Sequence, residues 1–303
     1  MDKTIVRIPN IAEEIRIGFS FNYLLKVIAE TEAADAAQWD FTEVSFLHPF
    51  FLAPLAIYRN FSSKDIECVN ISLRMQSYLN SICFDRMLHF NDEEKNVVEE
   101  VMGQYLNKSY IPLCSFSMTN ANKEVFGSII RDVITKQTDI DQKGITPLSL
   151  FISELLDNIY EHSHSENGYV FSQYLEREGV INLCIADHGV TIPKSFELAG
   201  LYQKEIDGDS AIALKLANEG CSTKNLPDAE NRGYGIPTTK SMLVEGMGGS
   251  FFMMSDGAFH RYGKRDENYY VNIKNIFSWQ GTIILLRIPV RVPKDFNYIN
   301  YLE

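Results

Sequence analysis

The spacing of apolar residues changes partway along this chain, and that change restricts the possible folds more than any other feature. Up to about residue 90, strand-like runs alternate with helical stripes. Residues 4 to 8, Trp39 to Phe46 and Ile66 to Leu73 read as strands. Phe21 to Ala33, Pro49 to Asn60 and Gln76 to Phe84 read as helices, the first with Leu24, Leu25, Val27 and Ile28 on one face and the second with proline in its first turn. Alternation of this kind predicts an α/β layer with at least partly parallel strands. A charged stretch over 91–107 comes next and predicts a linker or connecting helix.

Beyond about residue 108 the order differs. A short strand, Tyr110 to Phe116, precedes two long amphipathic helices, Ala121 to Thr138 and Thr146 to Ser163. Tyr169 to Leu175 and Val180 to Ala186 form an expected hairpin turning at Glu178-Gly179. Helices are expected at Asp209 to Glu219 and Tyr234 to Met247, the latter closed by Gly248-Gly249, and strands at Ser250 to Ser255, Tyr269 to Ile276 and Thr282 to Val290. The predicted fold class is therefore α+β: a smaller α/β unit over 1–90, a linker over 91–107, and a two-layer α/β sandwich over 108–295.

With 303 residues, 45% hydrophobic and 22% charged, the chain suffices for two units, each with its own core. The net charge of −12, without a Lys/Arg cluster, argues against a nucleic-acid surface. Apolar runs such as Phe50 to Tyr58 fall well short of the roughly 20 residues a membrane span needs. The first residues lack the apolar core of a secretory signal, so a cytoplasmic protein without membrane association is expected. Five scattered cysteines, none in C-x-x-C spacing, predict free thiols and no zinc site.

The chemistry concentrates in the second unit. On the helix from Thr146, Ile152, Leu155, Leu156 and Ile159 make a buried stripe, while Glu154, Asn158 and His162 recur every fourth residue along another line. A polar line of this kind is usually a solvated face. Two segments further along the chain give it another meaning. The strand Val180 to Ala186 runs into Asp187-His188-Gly189-Val190-Thr191, which puts a carboxylate at a strand end beside a glycine. Such a carboxylate can accept a hydrogen bond from an exocyclic amine, and the glycine permits close approach of a flat ring. Asn231-Arg232-Gly233-Tyr234-Gly235 then opens a helix after a polar loop, and amides at a helix start suit phosphate. Neither a P-loop nor a dinucleotide fingerprint is present.

In order, Glu154-x-x-x-Asn158-x-x-x-His162, Asp187-x-Gly189, Gly233-x-Gly235 and Gly281-Thr282 closely resemble the GHKL ATPase family across about residues 145–290, nearest its anti-sigma-factor serine kinase branch. The resemblance implies a Bergerat ATP-binding fold with ATP and Mg2+ as cofactors. It makes Glu154 the general base, Asn158 the magnesium ligand and Asp187 the adenine-reading carboxylate. Gly189 and Thr191 would border the base, Thr191 standing where the family commonly has a second glycine. Gly233, Tyr234 and Gly235 would form the phosphate-facing lid hinge, Lys224 or Arg232 would offset phosphate charge, and Gly281 and Thr282 would support the adenine edge. His162 would shape the pocket.

The first unit resembles, more loosely, the STAS fold of anti-sigma-factor antagonists, through Asp40 to Phe46 followed by a helix. The turn that carries a phosphorylatable serine in that family is Leu47-His48-Pro49-Phe50-Phe51 here and has no hydroxyl. This implies a docking or dimerisation module, with His48 structural. The function implied is an ATP-dependent protein serine/threonine kinase or slow ATPase acting on a partner protein, STAS-like or another regulator. The alternative is a nucleotide-gated binding module in which ATP orders the lid over 205–232 without turnover.

Overall fold

The computed structural model describes residues 3–91, 95–221, 223, 235–263, 266–273 and 278–302. The first unit runs β1 (Thr4–Arg7), α1 (Phe21–Glu32), β2 (Ala36–Asp40), α2 (Pro49–Phe61), β3 (Asp65–Val69) and α3 (Leu73–Ser81). Its strands form a parallel sheet in the order β1-β2-β3, as the strand–helix alternation predicts. Strand β2 ends earlier than its apolar run suggests. Asp40 Oδ1 accepts hydrogen bonds from the Thr42 N–H, the Thr42 hydroxyl and Asn70 Nδ2, so the chain turns there and 41–46 is not a strand.

The next elements, β4 (Leu88–Phe90), α4 (Lys95–Gly103), β5 (Tyr110–Ser117), α5 (Asn120–Gln137) and α6 (Gln142–Asn158), belong with the second unit. Strand β4 pairs parallel with β5, so residues 88–90, expected in the first unit, sit in the second unit's sheet. The expected linker contains α4, which packs on α5. The chain continues through β6 (Asn167–Leu175), β7 (Val180–Asp187), α7 (Ile192–Ala199), α8 (Gln203–Ile206), α9 (Ser210–Asn218) and α10 (Gly235–Ser241). It then forms β8 (Ser250–Asp256), β9 (Ala258–Gly263), β10 (Asp266–Asn272) and β11 (Trp279–Pro289). Among the described residues these strands make one eight-stranded sheet, ordered β10-β9-β8-β11-β7-β6-β5-β4. The architecture is mixed helix and strand, of the α+β class.

One face of this sheet carries Val170, Leu183, Ile185, Met253, Ile284 and Leu286 against the stripe of α6 and against α5 and α10. The other face is covered as well. Phe171, Cys184, Ala186, Phe252, Ile283 and Leu285 share a core with α1 and α2 of the first unit. The two expected separate cores are thus replaced on this side by one core spanning both units. Helix α2 lies between the small sheet and strands β6 and β7 of the large one, and its residues Pro49 to Tyr58 are all buried. A helix without a polar face fits only such a position.

A polar seam fixes the join. Arg287 of β11 donates from both terminal nitrogens to the Glu14 carbonyl at 3.2 Å and lies 5.8 Å from the Phe50 ring centroid. His48 Nδ1 accepts from the Phe50 N–H at 3.2 Å and so caps α2. Burial, with Arg287 beside it, drives the imidazole down to about 3, so it stays neutral and able to accept. The Glu14 carboxyl accepts from the Ser20 N–H at 3.1 Å, and burial pushes it up to about 7.

A carboxyl raised this way stabilises the fold fully below its ordinary value near 4.5, and the contribution is lost as pH rises through about 7. Glu14→Gln is expected to melt close to wild type near pH 5 but about 4 °C or more above it near pH 8. Thermal denaturation at both pH values checks this, and equal wild-type and variant curves at pH 8 would contradict it.

Candidate functional site

On the α6 side of the large sheet, a cleft of about 290 Å3 opens between the end of α6, the ends of β7 and β11, and helices α7, α9 and α10. Helix α6 delivers Glu154 and Asn158 to it. Asn158 Nδ2 donates to the Glu154 carbonyl at 2.7 Å, which fixes the amide and leaves its oxygen as the atom to offer a ligand. Glu154 Oε2 accepts from the Gly235 N–H at 3.0 Å, joining the acid to the first residue of α10. Beyond Asn158 the helix widens into a π turn, Ile159–Ser163, and ends on His164 in the left-handed region at φ 49°. Local π turns often re-aim side chains at functional sites. Here His162 still borders the cleft, its Nδ1 3.0 Å from the Thr223 hydroxyl.

Asp187 closes the inner end. It is the last residue of β7, 1% exposed, and alternation along the strand turns it to the same face as Leu183 and Ile185. Its Oδ1 accepts from the Gly189 N–H at 2.8 Å, and the Thr282 backbone N–H donates to the same carboxyl. Burial outweighs these two bonds and pushes the group up to about 7.

Two glycines make this packing possible. A Cβ at Gly189 would lie 2.1 Å from the Ser163 carbonyl oxygen. Gly281, at φ +82° in the irregular stretch of β11 pairing between Trp279 and Thr282, would bring a Cβ 2.4 Å from the Asp187 carbonyl oxygen. Ser255 links the same ends: its hydroxyl accepts from the Ile192 N–H at 2.9 Å and donates to the Gly281 carbonyl at 2.7 Å.

The structure thus brings Glu154, Asn158, His162, Asp187, Gly235 and Thr282 to one cleft. Gly189 supports it from behind. Thr191 does something else: its hydroxyl accepts from the Lys194 N–H at 3.3 Å and caps α7, a helix that the apolar spacing does not announce. Lys224, Arg232, Gly233 and Tyr234 lie outside the described residues. The apolar walls Ile192, Met253 and Ile284 join the site without having stood out in the sequence, and Ser255 supports them through its bonds to Ile192 and Gly281. Ser255 had a signal, being the first hydroxyl after the apolar run Phe251 to Met254.

Four carboxyl groups, Glu154, Asp157, Glu161 and Asp187, line the cleft, and no Lys or Arg does among the described residues. Lys123 pairs with Asp157 from outside. Among the described residues no group of three or more His, Cys, Asp or Glu is placed to hold a metal alone.

Gly281→Ala is expected to lose more than about 2 kcal/mol in urea unfolding, from the left-handed backbone and the clash with Asp187 together. Gly200→Ala, at φ +68° with open space around it, is expected to lose only about 1 kcal/mol. Equal losses would show that the Asp187 contact is not what holds position 281 to glycine. No protein-family model matches this sequence, and no curated protein matches it either, so the functional reading rests on the geometry of the cleft.

Proposed function

We propose that the cleft binds ATP with Mg2+ as a GHKL-type (Bergerat) site, and that the chain acts as a protein serine/threonine kinase or slow ATPase on a partner protein. The observation that carries this reading is Asp187, a carboxyl buried at the closed end of an apolar-walled cleft whose open end holds Glu154 and Asn158. A buried carboxyl gains most from a ligand that donates to it. The 6-amino group of adenine is such a donor, and Ile192, Met253 and Ile284 supply apolar walls for a flat ring.

The remaining lining suits a metal-complexed polyphosphate better than a bare one. Four carboxyls would repel free phosphates, whereas a divalent cation reverses that sign. The Asn158 oxygen, left free of the Nδ2 bond to Glu154, would be the protein ligand for Mg2+, an ion that commonly takes one or two protein oxygens and completes its shell with phosphate and water. Bound there, the ion would neutralise developing phosphate charge. Glu154, one helical turn away, receives the proton of a water or hydroxyl as its oxygen bonds to the terminal phosphorus and the bridging oxygen leaves with ADP. Its Oε2 accepts from the Gly235 N–H, which ties the base to the start of α10.

That link also supports a second reading, a nucleotide-gated binding module without turnover. The absence of a hydroxyl over 47–51 and the capping role of Thr191 favour it. In both readings the partner is a protein, STAS-like or another regulator, with the first unit as docking or dimerisation surface. No helix among the described residues is long and apolar enough to cross a membrane.

Calorimetry and a phosphate-release assay separate these possibilities. Asp187→Ala is expected to weaken MgATP at least about tenfold and to erase preference over GTP. Glu154→Gln is expected to retain binding and to lower turnover about a hundredfold or more. Undiminished ATP binding by Asp187→Ala would end the site assignment, and wild-type binding without hydrolysis or transfer would leave the gated module.

A further inference from the structure

Strand alternation sends two adjacent side chains to opposite faces of the large sheet. Asp187 faces the cleft, and His188 faces α2. There Phe61, the last residue of α2, stacks on His188 with ring centroids 3.7 Å apart and planes 19° apart. The same ring meets Trp279 edge-on at 5.4 Å and 78°. These two contacts fall on the two segments that hold the Asp187 carboxyl. His188 lies between Asp187 and Gly189, whose N–H donates to it, and Trp279 begins β11 three residues before Thr282, whose N–H also donates to it. The wedge is backed by α2, buried from Pro49 to Tyr58 between two sheets.

We infer that Phe61 is a positioning residue for nucleotide binding, setting the Asp187 loop from the opposite face of the sheet, so that the first unit is a working part of the site. The inference rests on the nucleotide reading above. Phe61 does not line the cleft and touches no ligand there; its influence passes through His188 and Trp279. Because coupling between sites is reciprocal, nucleotide binding must in turn favour the docked position of the α2 end. A change at the first unit, such as capture of a partner, then reaches the affinity for nucleotide through the Phe61 ring.

The test compares Phe61→Ala and Phe61→Tyr in the full chain. Phe61→Ala, which takes the ring from both His188 and Trp279, is expected to weaken MgATP about fivefold, and Phe61→Tyr to stay within about twofold of wild type. In a turnover assay KM rises and kcat holds, since Glu154 is untouched. Burial holds the His188 imidazole below its ordinary range, and NMR titration should find it raised in Phe61→Ala but not in Phe61→Tyr. The adenine preference should narrow with affinity.

A folded Phe61→Ala whose His188 titration has moved while MgATP affinity stays within about twofold of wild type overturns the positioning role. Should Phe61→Ala fail to fold, His188→Ala removes the stacked contact from the other side while leaving Phe61 against Trp279, and a smaller loss of about threefold is expected from it; normal affinity there overturns the role equally. A wild type that binds no adenine nucleotide is a different result, which removes the reading of the cleft and the inference with it.

Discussion

Strands β7 and β11 are buried on both faces, and most of the architecture follows from covering them. Ile181 to Ala186 and Ile283 to Leu286 are nearly unbroken apolar runs, and alternate residues of each belong to different cores. Helix α6 covers one face with a stripe and keeps a polar side. The opposite face needs a second helical layer, and α1 and α2 provide it. At roughly 1.5–3 kcal/mol for each large apolar side chain, exposing Phe171, Phe252, Ile283 and Leu285 would cost as much as the net stability of a typical domain. The two units therefore do not part as bodies on a tether.

Polar groups survive on such strands only near their ends, and both ends carry something specific. At one end Arg287 stands opposite Asn182 in the β7–β11 register and reaches into the seam with Glu14 and His48. At the other, Asp187 and Thr282 line the cleft, and Thr282 donates its hydroxyl to Ser255 of β8 behind them. The same pairing thus fixes the docking of the first unit and the depth of the acid. Phe61 meets Trp279 near one end of this strand pair and Phe50 lies against Arg287 near the other, so α2 touches both ends.

Legibility in the sequence tracks the range of the interaction involved. The α6 stripe, the hairpin at Glu178-Gly179 and the alternating first unit rest on local periodicity, and these elements form, although β3 ends at Val69 and α3 runs from Leu73 to Ser81, both short of the expected ends at Leu73 and Phe84. Strand β2 stops short of its apolar run because a bond that ends it, from Asn70 to Asp40, crosses 30 residues. The burial of Phe50 to Tyr58 is visible in the sequence, but an apolar run does not name its cover, so α2 as a layer between two sheets cannot be read from it. Thr191 reads as a substitute for a glycine, although Thr-x-x-Lys after a strand, with proline two residues on, also spells a helix cap. Glu154, Asn158 and Asp187 are legible because their chemistry is local to one helix line and one strand end. Their convergence depends on how the sheet and α6 pack, which no spacing encodes.

The depth of Asp187 has an energetic meaning beyond its place in a motif. A carboxyl moved from its ordinary 3.8 to about 7 carries an ionisation penalty on the order of 4 kcal/mol in the folded chain. Two backbone N–H groups, from Gly189 and Thr282, only partly offset the lost hydration. A donor arriving along the cleft would recover part of that penalty, whereas a ligand presenting an acceptor there would add to it. The unfavourable state of the free protein would thus give a binding site here its discrimination, since specificity comes from the difference between a satisfied and an unsatisfied buried group. A more exposed acid would be easier to fold around and would distinguish less. The covering of both faces of β7, which makes the fold stable, is the same covering that withholds water from Asp187.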